Sequence, residues 1–174
     1  MCLLSATGQT YQWVNFGKSQ GFEYGNDITT DDSGNVYVVG QFEYNTKFGS
    51  LTINTAGQHD IFITKYNSAG VQQWVKSAGG TDGDAGSAIG LDANGNVYIT
   101  GEFETTCKFS PTDSLISGGN NDIFLAKYTN DGVLEWVRKF GGTGDNRGRA
   151  LAVDDAGNCY FSGSFSNTVS FSGQ

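Results

Sequence analysis

The sequence predicts an all-β fold built from a repeated unit of about 61 residues, and three observations lead to this prediction. Three tryptophans, each followed by Val, lie 61 and 62 residues apart, at Trp13, Trp74 and Trp136. The 174-residue chain contains 26 glycines and one proline, a composition that suits short strands joined by tight turns. Aromatic residues make up 13% of the chain, which argues against disorder.

Two further segments recur at the same period. The segment 35–40 (NVYVVG) returns at 96–101 and 158–163, and DIFITKY at 60–66 returns as DIFLAKY at 122–128. Independent markers that share one period indicate repetition of one structural unit. The division that follows is a leading piece at 1–16, repeat 1 at 17–77, repeat 2 at 78–139 and a partial repeat 3 at 140–174.

Each unit is predicted to contain four antiparallel strands, A to D. Strand A carries small residues, strands B and C are almost continuously apolar, and strand D mixes polar residues with the Trp. The predicted ranges are 27–31, 87–92 and 149–154 for strand A, and 61–66 and 123–128 for strand C. This gradient is typical of a blade in a β-propeller, which is stacked on both faces, crowded at the axis and wet at the rim. A β-trefoil is the alternative, although trefoil lectins typically use Gln-x-Trp where this chain has Gln-Trp.

The turn between strands A and B reads Asp-x-x-Gly-Asn-x-Tyr in all three units. The Asp can accept hydrogen bonds from the local backbone, and the Gly can adopt the left-handed conformation that a tight hairpin needs. Turn chemistry explains this pattern better than a calcium loop does. We therefore assign structural roles to these glycines and tyrosines and to the repeated tryptophans: Gly34, Gly95, Gly157, Tyr37, Tyr98, Tyr160, Trp13, Trp74 and Trp136.

The order of the strands predicts where a ligand binds. The B–C connections (43–59 and 104–121) and the D–A connections (16–26, 77–86 and 139–148) are expected to be long loops that meet at one end of the units, the B–C/D–A end. Asp82 and Asp84 could offer oxygens to calcium, but solvated turn residues are the simpler interpretation, so we predict no metal and no cofactor. The candidate ligand-binding residues at this end are Glu23, Tyr24, Tyr44, Asp82, Asp84, Asp145 and Arg147.

Several classes of function are disfavoured by composition. The net charge of −8 leaves no basic footprint for nucleic acid, and no apolar run approaches the length of a membrane span. The N-terminus lacks the features of a signal peptide. The segment 17–21 matches a nucleophile-elbow pattern, but His59 is the only histidine, so we predict a binding module and not a hydrolase or lyase.

The two ends of the chain suggest how a ring of blades could close. Residues 2–15 match strands C and D, whereas the third unit stops after strand B, with 168–174 matching the start of a B–C connection. The missing strands could come from the same chain, from a second copy in a homodimer, or from a longer parent chain. In a composite blade Cys2 and Cys159 would lie on adjacent strands, either as a disulfide or as two free thiols.

The repeat resembles the bacterial β-propeller family called SBBP. The resemblance rests on Asp-x-x-Gly-Asn-Val-Tyr-x-x-Gly, on Asp-Ile-Phe-x-x-Lys-Tyr-x-x-x-Gly-Val-x-x-Trp-Val and on Gly-Gly-Thr-Gly-Asp, and it covers nearly the whole chain. It implies a propeller in a secreted or cell-surface bacterial protein, with no shared catalytic residues. The expected function is recognition of a protein or glycan, and a structural spacer without a small ligand is the alternative.

Overall fold

The computed structural model describes Trp13, Asn15 and residues 17–171, and this part of the chain consists of strands and turns without any helix, so it holds no helix that could span a membrane. The strands in chain order are β1 (Gly17–Lys18), β2 (Glu23–Thr30), β3 (Val36–Phe42), β4 (Thr46–Phe48), β5 (Leu51–Ile53), β6 (Asp60–Tyr66), β7 (Gln72–Ala78), β8 (Asp84–Leu91), β9 (Val97–Lys108), β10 (Ser114–Tyr128), β11 (Leu134–Gly142), β12 (Arg147–Val153), β13 (Cys159–Ser164) and β14 (Val169–Phe171).

The strands pair into open antiparallel sheets that follow the predicted units. Unit 1 is the sheet β2-β3-β6-β7, and unit 2 is β8-β9-β10-β11 with β14 added beside β11. The pair β12–β13 supplies strands A and B of unit 3, while β1, β4 and β5 form a small separate sheet. The structure thus confirms an all-β protein in which complete units have four antiparallel strands in sequence order.

The core lies in strands B and C, as their continuous apolarity predicts. All seven residues of β6 are buried, and so are residues 121–126 of β10. Strand A of unit 2 is crowded from both sides, because a side chain at Gly86 would overlap Val39 of unit 1. A Cβ at Gly90 would come within 2.8 Å of Val153 in unit 3. Small residues in β8 therefore let three units pack against one another.

The turn between strands A and B is held by its aspartate. Asp31 Oδ1 accepts the backbone N–H of Ser33 (3.0 Å) and of Asn35 (2.9 Å), and Oδ2 accepts the Asn35 amide (2.8 Å) and the Tyr37 hydroxyl (3.1 Å). Burial alone would raise the pKa of Asp31, but these hydrogen bonds hold it below its ordinary value. Gly34 has a φ of +76°. The same bonds recur around Asp92, and those to backbone and Asn recur around Asp154.

The repeated Trp connects one unit to the next. The indole N–H of Trp74 donates to the carbonyl of Asn130 at 3.0 Å, and that of Trp13 donates to the carbonyl of Ser68 at 3.2 Å. Both acceptors lie in the C–D turn of the following unit. A Cβ on Gly132 would come within 2.9 Å of the Trp74 ring, and a Cβ on Gly70 within 2.6 Å of Trp13. We call this contact the Trp–Gly junction, and in it Trp13 and Trp74 pack against the turn of the following unit.

The expectation of long loops at the B–C/D–A end is wrong. β9 continues to Lys108 and β10 begins at Ser114, so most of the predicted loop 104–121 is a β-hairpin. In unit 1, β4 and β5 form a hairpin within the predicted loop 43–59. The D–A connections narrow to 79–83 and 143–146, because strand A begins earlier than predicted. Strand pairing satisfies backbone groups that a loop would leave to solvent.

Each B–C hairpin also pairs with the unit before it. β4 pairs with β1, Gly79 bridges to Lys108, and β14 pairs with the end of β11. Each of these three contacts joins the first strand of a B–C hairpin to the end of the preceding strand D. We call them the backward pairings. Residues 169–171, which the sequence places in a B–C connection, form the third of them.

The two alternatives for Cys2 and Cys159, a disulfide or two free thiols, fall partly outside the described residues, because residues 1–12 of the leading piece are not described. Cys159 lies half-buried at the start of β13, where its thiol is 3.7 Å from the carbonyl oxygen of Gly157. Trp13 and Asn15 of the leading piece are described, and both bond to the C–D turn of unit 1.

We expect Trp74→Ala to lower the free energy of unfolding by about 3 kcal/mol, because it removes a large packed ring and its hydrogen bond. Trp136→Ala is the matched control, since Trp136 contacts Tyr98 and Arg138 but meets no C–D turn in the described part of the chain. Urea denaturation measures both changes. Equal losses in the two variants would contradict the Trp–Gly junction.

Gly34→Val should destabilise the chain more than Gly34→Asn, since Asn tolerates a positive φ and a β-branched residue does not. Space does not decide the comparison, because a Cβ at Gly34 would lie 3.2 Å from the nearest atom, in Ser68. The difference in thermal midpoint between the variants is the measurement. Indistinguishable midpoints would refute the left-handed turn.

Candidate functional site

A cleft of about 650 Å³ opens at the B–C/D–A end of unit 1. The D–A connection supplies one wall and the segment 44–55, which contains the β4–β5 hairpin, supplies the other. The two lysines give the cleft local positive charge on a chain whose net charge is −8. The residues that line it are Lys18, Ser19, Gln20, Tyr44, Asn45, Lys47 and Thr55.

Tyr44 is the aromatic residue of this cleft and has an unusual backbone. Its side chain is 61% exposed, and its φ is +55°. The equivalent residues Thr105 and Asn167 also have positive φ, at 44° and 61°. The chain therefore takes the same left-handed bend just before the first strand of each B–C hairpin. Asn suits that bend, whereas Tyr and Thr adopt it at a cost, and such strain concentrates at functional positions.

Two more exposed aromatic residues lie beside the cleft. Phe22 and Tyr24 are 63% and 50% exposed, and their rings stack with centroids 6.1 Å apart. Their segment is joined to the Tyr44 bend, because the Glu43 amide donates to the carbonyl of Phe22 at 3.0 Å. A Cβ on Gly21 would come within 2.7 Å of the Tyr44 ring. Aromatic faces, lysines and amides are thus gathered at one edge of unit 1.

Glu23 has a structural partner. Its carboxylate accepts a hydrogen bond at 3.0 Å from the hydroxyl of buried Thr46, at the first residue of β4. This contact fixes the start of the β4–β5 hairpin against strand A. Glu23 therefore positions the wall of the cleft.

Asp82 and Asp84 do not form the pair of exposed oxygens that a calcium site would need. Asp82 accepts hydrogen bonds from the hydroxyls of Thr81 and Thr105. Asp84 is fully buried, and its Oδ2 accepts the Gly80 amide at 2.8 Å, so its prediction as a surface ligand residue is wrong. The described residues contain no group of three or more His, Cys, Asp or Glu side chains that could hold a metal.

Asp145 and Arg147, which the sequence predicts as ligand-binding residues, bind each other in the structure. The Arg147 guanidinium contacts both Asp145 oxygens at 3.1–3.2 Å, and its Nη1 donates to Glu102 at 3.0 Å. Arg149 lies 3.7 Å from the other oxygen of Glu102. Hydrogen bonds from Arg147 and Asn121 hold the pKa of Asp145 below its ordinary value, whereas burial raises the pKa of Glu102 against both arginines.

Glu102 is a residue that the sequence analysis missed. It lies in β9, and the signal that could have found it is that it is the one carboxylate in residues 97–103, the part of β9 that reads as apolar strand B. Together with Arg149 it lines a polar cleft of about 320 Å³, which also includes Asn26, Gln41 and Ser87. Because its charged side chains are paired to each other, the residues that line this cleft present little net charge to a ligand.

The opposite end of the units, where the A–B turns lie, has an acidic cleft of about 350 Å³. Asp31 and Asp92 line it, together with Asp32 and Asp155. The first two carboxylates are already occupied by the hydrogen bonds of their turns. The exposed aromatic residues described above lie at the B–C/D–A end, which is the end where the sequence predicts recognition.

Comparison with known proteins yields two partial similarities, and no family model matches the chain. The chain is 26% identical over 110 residues to "Regulatory protein FlaEY" of Caulobacter vibrioides, an alignment that covers 62% of this chain and 12% of that protein. It is 24% identical over 179 residues to "Uncharacterized WD repeat-containing protein L264" of Acanthamoeba polyphaga mimivirus, covering 86% of this chain and 13% of that protein. The chain spans about an eighth of the length of these curated relatives.

We expect calcium at millimolar concentration to leave the thermal midpoint unchanged relative to a chelator, because Asp82 and Asp84 have separate partners. Differential scanning fluorimetry with calcium, magnesium and EDTA measures this. A rise of several degrees with calcium alone, lost in Asp82→Asn, would contradict the prediction.

Proposed function

We propose that this chain is a segment of a β-propeller and serves as a non-catalytic module that binds a protein or a glycan at the B–C/D–A end of unit 1. The observation that carries the proposal is Tyr44, whose ring is exposed in the 650 Å³ cleft on a backbone that disfavours it. Retaining an aromatic residue at a strained, solvent-exposed position is easier to explain by recognition than by stability.

The propeller is supported by the way in which units stack. Four-stranded antiparallel sheets follow one another through Trp–Gly junctions, and WD repeats, which the mimivirus relative carries in its name, are propeller blades. Ile28 is 62% exposed, whereas Ile89, the equivalent residue of unit 2, is 5% exposed because unit 1 covers it. We infer that a further blade, from a second copy or a longer chain, covers Ile28 in the same way.

A secreted or cell-surface bacterial protein remains our proposal for the source of this segment, and its support is the SBBP-like motif pattern alone. Binding is preferred to catalysis because the charged candidate residues Glu23, Asp145 and Arg147 have internal partners. Arg147 is engaged by Glu102 and Asp145, and Glu23 by Thr46. A catalytic group would need to present its carboxylate or base to a substrate.

A spacer or self-assembling unit is the second candidate, and one observation favours it. The outer faces of units 1 and 3 expose large apolar residues, with Tyr160 63% exposed where the equivalent Tyr98 is 3% exposed. Such faces fit stacking between units without any small ligand.

The test compares Tyr44→Asn with Thr105→Asn on an array of neutral and acidic oligosaccharides and on an array of peptides, so that both proposed ligand classes are covered. Both changes place Asn on a left-handed bend, so both should keep or raise stability, but only Tyr44→Asn removes the aromatic face of the cleft. We expect Tyr44→Asn to weaken binding at least tenfold and Thr105→Asn to leave it intact. Equal binding by both variants would exclude the cleft, and absence of any binding would favour the spacer.

A further inference from the structure

A second feature of the molecule, a pair of buried carboxyls, lies between units 1 and 2. Asp60 is the first residue of β6 in unit 1, and Asp84 is the first residue of β8 in unit 2; they are 2% and 0% exposed. Both flank the same two glycines. The Gly80 amide donates to Asp84 Oδ2, and a side chain at Gly79 would overlap the Asp60 carboxylate. The backbone joins the pair further, since the Asp84 amide donates to the carbonyl of His59 at 2.9 Å.

Unit 2 holds the same two positions with a different pair of side chains. Asp122 is equivalent to Asp60, and Asn146 to Asp84. The Asn146 amide donates to Asp122 Oδ1 at 3.2 Å, the Gly142 amide donates to the same oxygen at 3.0 Å, and the Lys139 ammonium lies 3.4 Å from Oδ2. The buried carboxylate of unit 2 is therefore surrounded by donors.

Unit 1 lacks each of these donors. Asp84 stands where the amide of Asn146 would be, Ser77 stands where Lys139 would be, and the Gly80 amide has turned to Asp84. Asp60 Oδ2 accepts the Ala56 amide at 2.6 Å, but no donor among the described residues reaches Asp60 Oδ1. A buried oxygen of this kind is costly unless it receives a proton or a hydrogen bond.

We propose that Asp60 and Asp84 share one proton, with the Asp84 carboxyl donating to Asp60 Oδ1 as the Asn146 amide donates to Asp122 Oδ1, and that release of this proton weakens the junction between units 1 and 2. The substitution of a carboxyl for an amide at one repeat position thus turns a fixed hydrogen bond into one that titrates.

The surroundings favour retention of the proton. Burial raises the pKa of Asp84 to about 7, with the nearby Asp60 adding to the shift, and burial raises that of Asp60 to about 6. The other ionisable groups here are His59, whose charge would oppose the shift of Asp60, and the Cys107 thiol of β9, whose own pKa burial raises. The neighbouring segments also carry the titratable or charged residues Asp82, Glu104, Lys108 and Tyr128, and further along β6, β7 and β9 lie Lys65, Tyr66, Lys76, Tyr98 and Glu102.

The direction of the pH effect follows from linkage. The unfolded chain releases these protons near the ordinary carboxyl value of 3.8, whereas the folded chain keeps one towards pH 7. The stability that this proton provides is therefore complete below about pH 4 and is lost as the pH rises to about 7. Across that window the unfolding equilibrium constant should rise by up to about tenfold per pH unit for a single retained proton.

The experiment measures urea midpoints from pH 4.5 to 8 for the wild-type chain, Asp84→Asn and the control Asp82→Asn. We expect the wild type and Asp82→Asn to lose stability as the pH rises, and Asp84→Asn to lose at least half of that dependence and to exceed the wild type at pH 8. Infrared spectroscopy at pH 6 should detect a protonated carboxyl that is absent from Asp84→Asn. If Asp84→Asn fails to fold, Asp60→Asn provides the same test.

A transplant into unit 2 provides an independent test. Asn146→Asp combined with Lys139→Ser reproduces the unit 1 pair around Asp122, and we expect it to steepen the loss of stability between pH 4 and 7. A wild-type stability that is flat or rises over this range would overturn the proposal. An unchanged pH dependence in Asp84→Asn or in the transplant would do the same.

Discussion

The stacking of the units depends on the Trp–Gly junction, in which an indole ring packs against a glycine of the next unit. Trp74 and Trp13 each lie against the C–D turn that follows, at Gly132 and Gly70, and donate their N–H to that turn. Glycine is required at this position for two reasons. Its φ is positive, and a Cβ there would overlap the indole ring. One aromatic residue per repeat thereby fixes both the distance between units and the path of the turn.

The repeats share a backbone but not its side chains, and the differences mark the positions of interest. The left-handed bend before each B–C hairpin carries Tyr44, Thr105 or Asn167. The position at which strand A begins carries Glu23, Asp84 or Asn146, the last of which directly precedes β12. Glu23 accepts a hydrogen bond from a hydroxyl, Asp84 lies near a second buried carboxyl, and the Asn146 amide donates to a carboxylate. Because the backbone stays constant, each unit serves as an internal reference for the others. We infer recognition at the left-handed bend, where unit 1 carries Tyr44, and pH sensitivity at the start of strand A, where unit 2 carries Asp84.

Much of the fold could be predicted from sequence because the determinants are local or periodic. The Asp31 turn follows from hydrogen bonds within seven residues, and burial of β6 follows from an unbroken apolar run. The sequence predicts loops where the hairpins at 46–53 and 106–116 lie, because part of their pairing is with the end of the preceding strand D and not within the hairpin. The charge of Asp84 predicts a surface position, because the residues that surround it, His59 and Asp60 of unit 1 and Glu104 near the end of β9, lie 20 or more residues away in the sequence.

The candidate site was predicted in part for the same reason. Tyr24 and Tyr44 are exposed at the expected end, whereas Phe48 and Phe109, aromatic residues of the predicted B–C loops, are buried. Glu102 was missed because its two arginine partners lie 45 and 47 residues further along the chain. Long-range ion pairs cannot be read from one sequence when neither partner belongs to the repeated pattern.

The backward pairings also bear on how such a chain avoids self-association. An outermost strand presents unpaired N–H and C=O groups that invite a foreign strand. Here the end of β11 is covered by β14, and Gly79, at the end of β7, is covered by Lys108, so each unit shields part of the edge of its predecessor. Local opening of one hairpin would expose its neighbour's edge as well as its own. Aggregation would then begin at the unit that precedes the opened hairpin. The effect of opening a hairpin is therefore felt towards the N-terminal side of the repeat and not towards the C-terminal side.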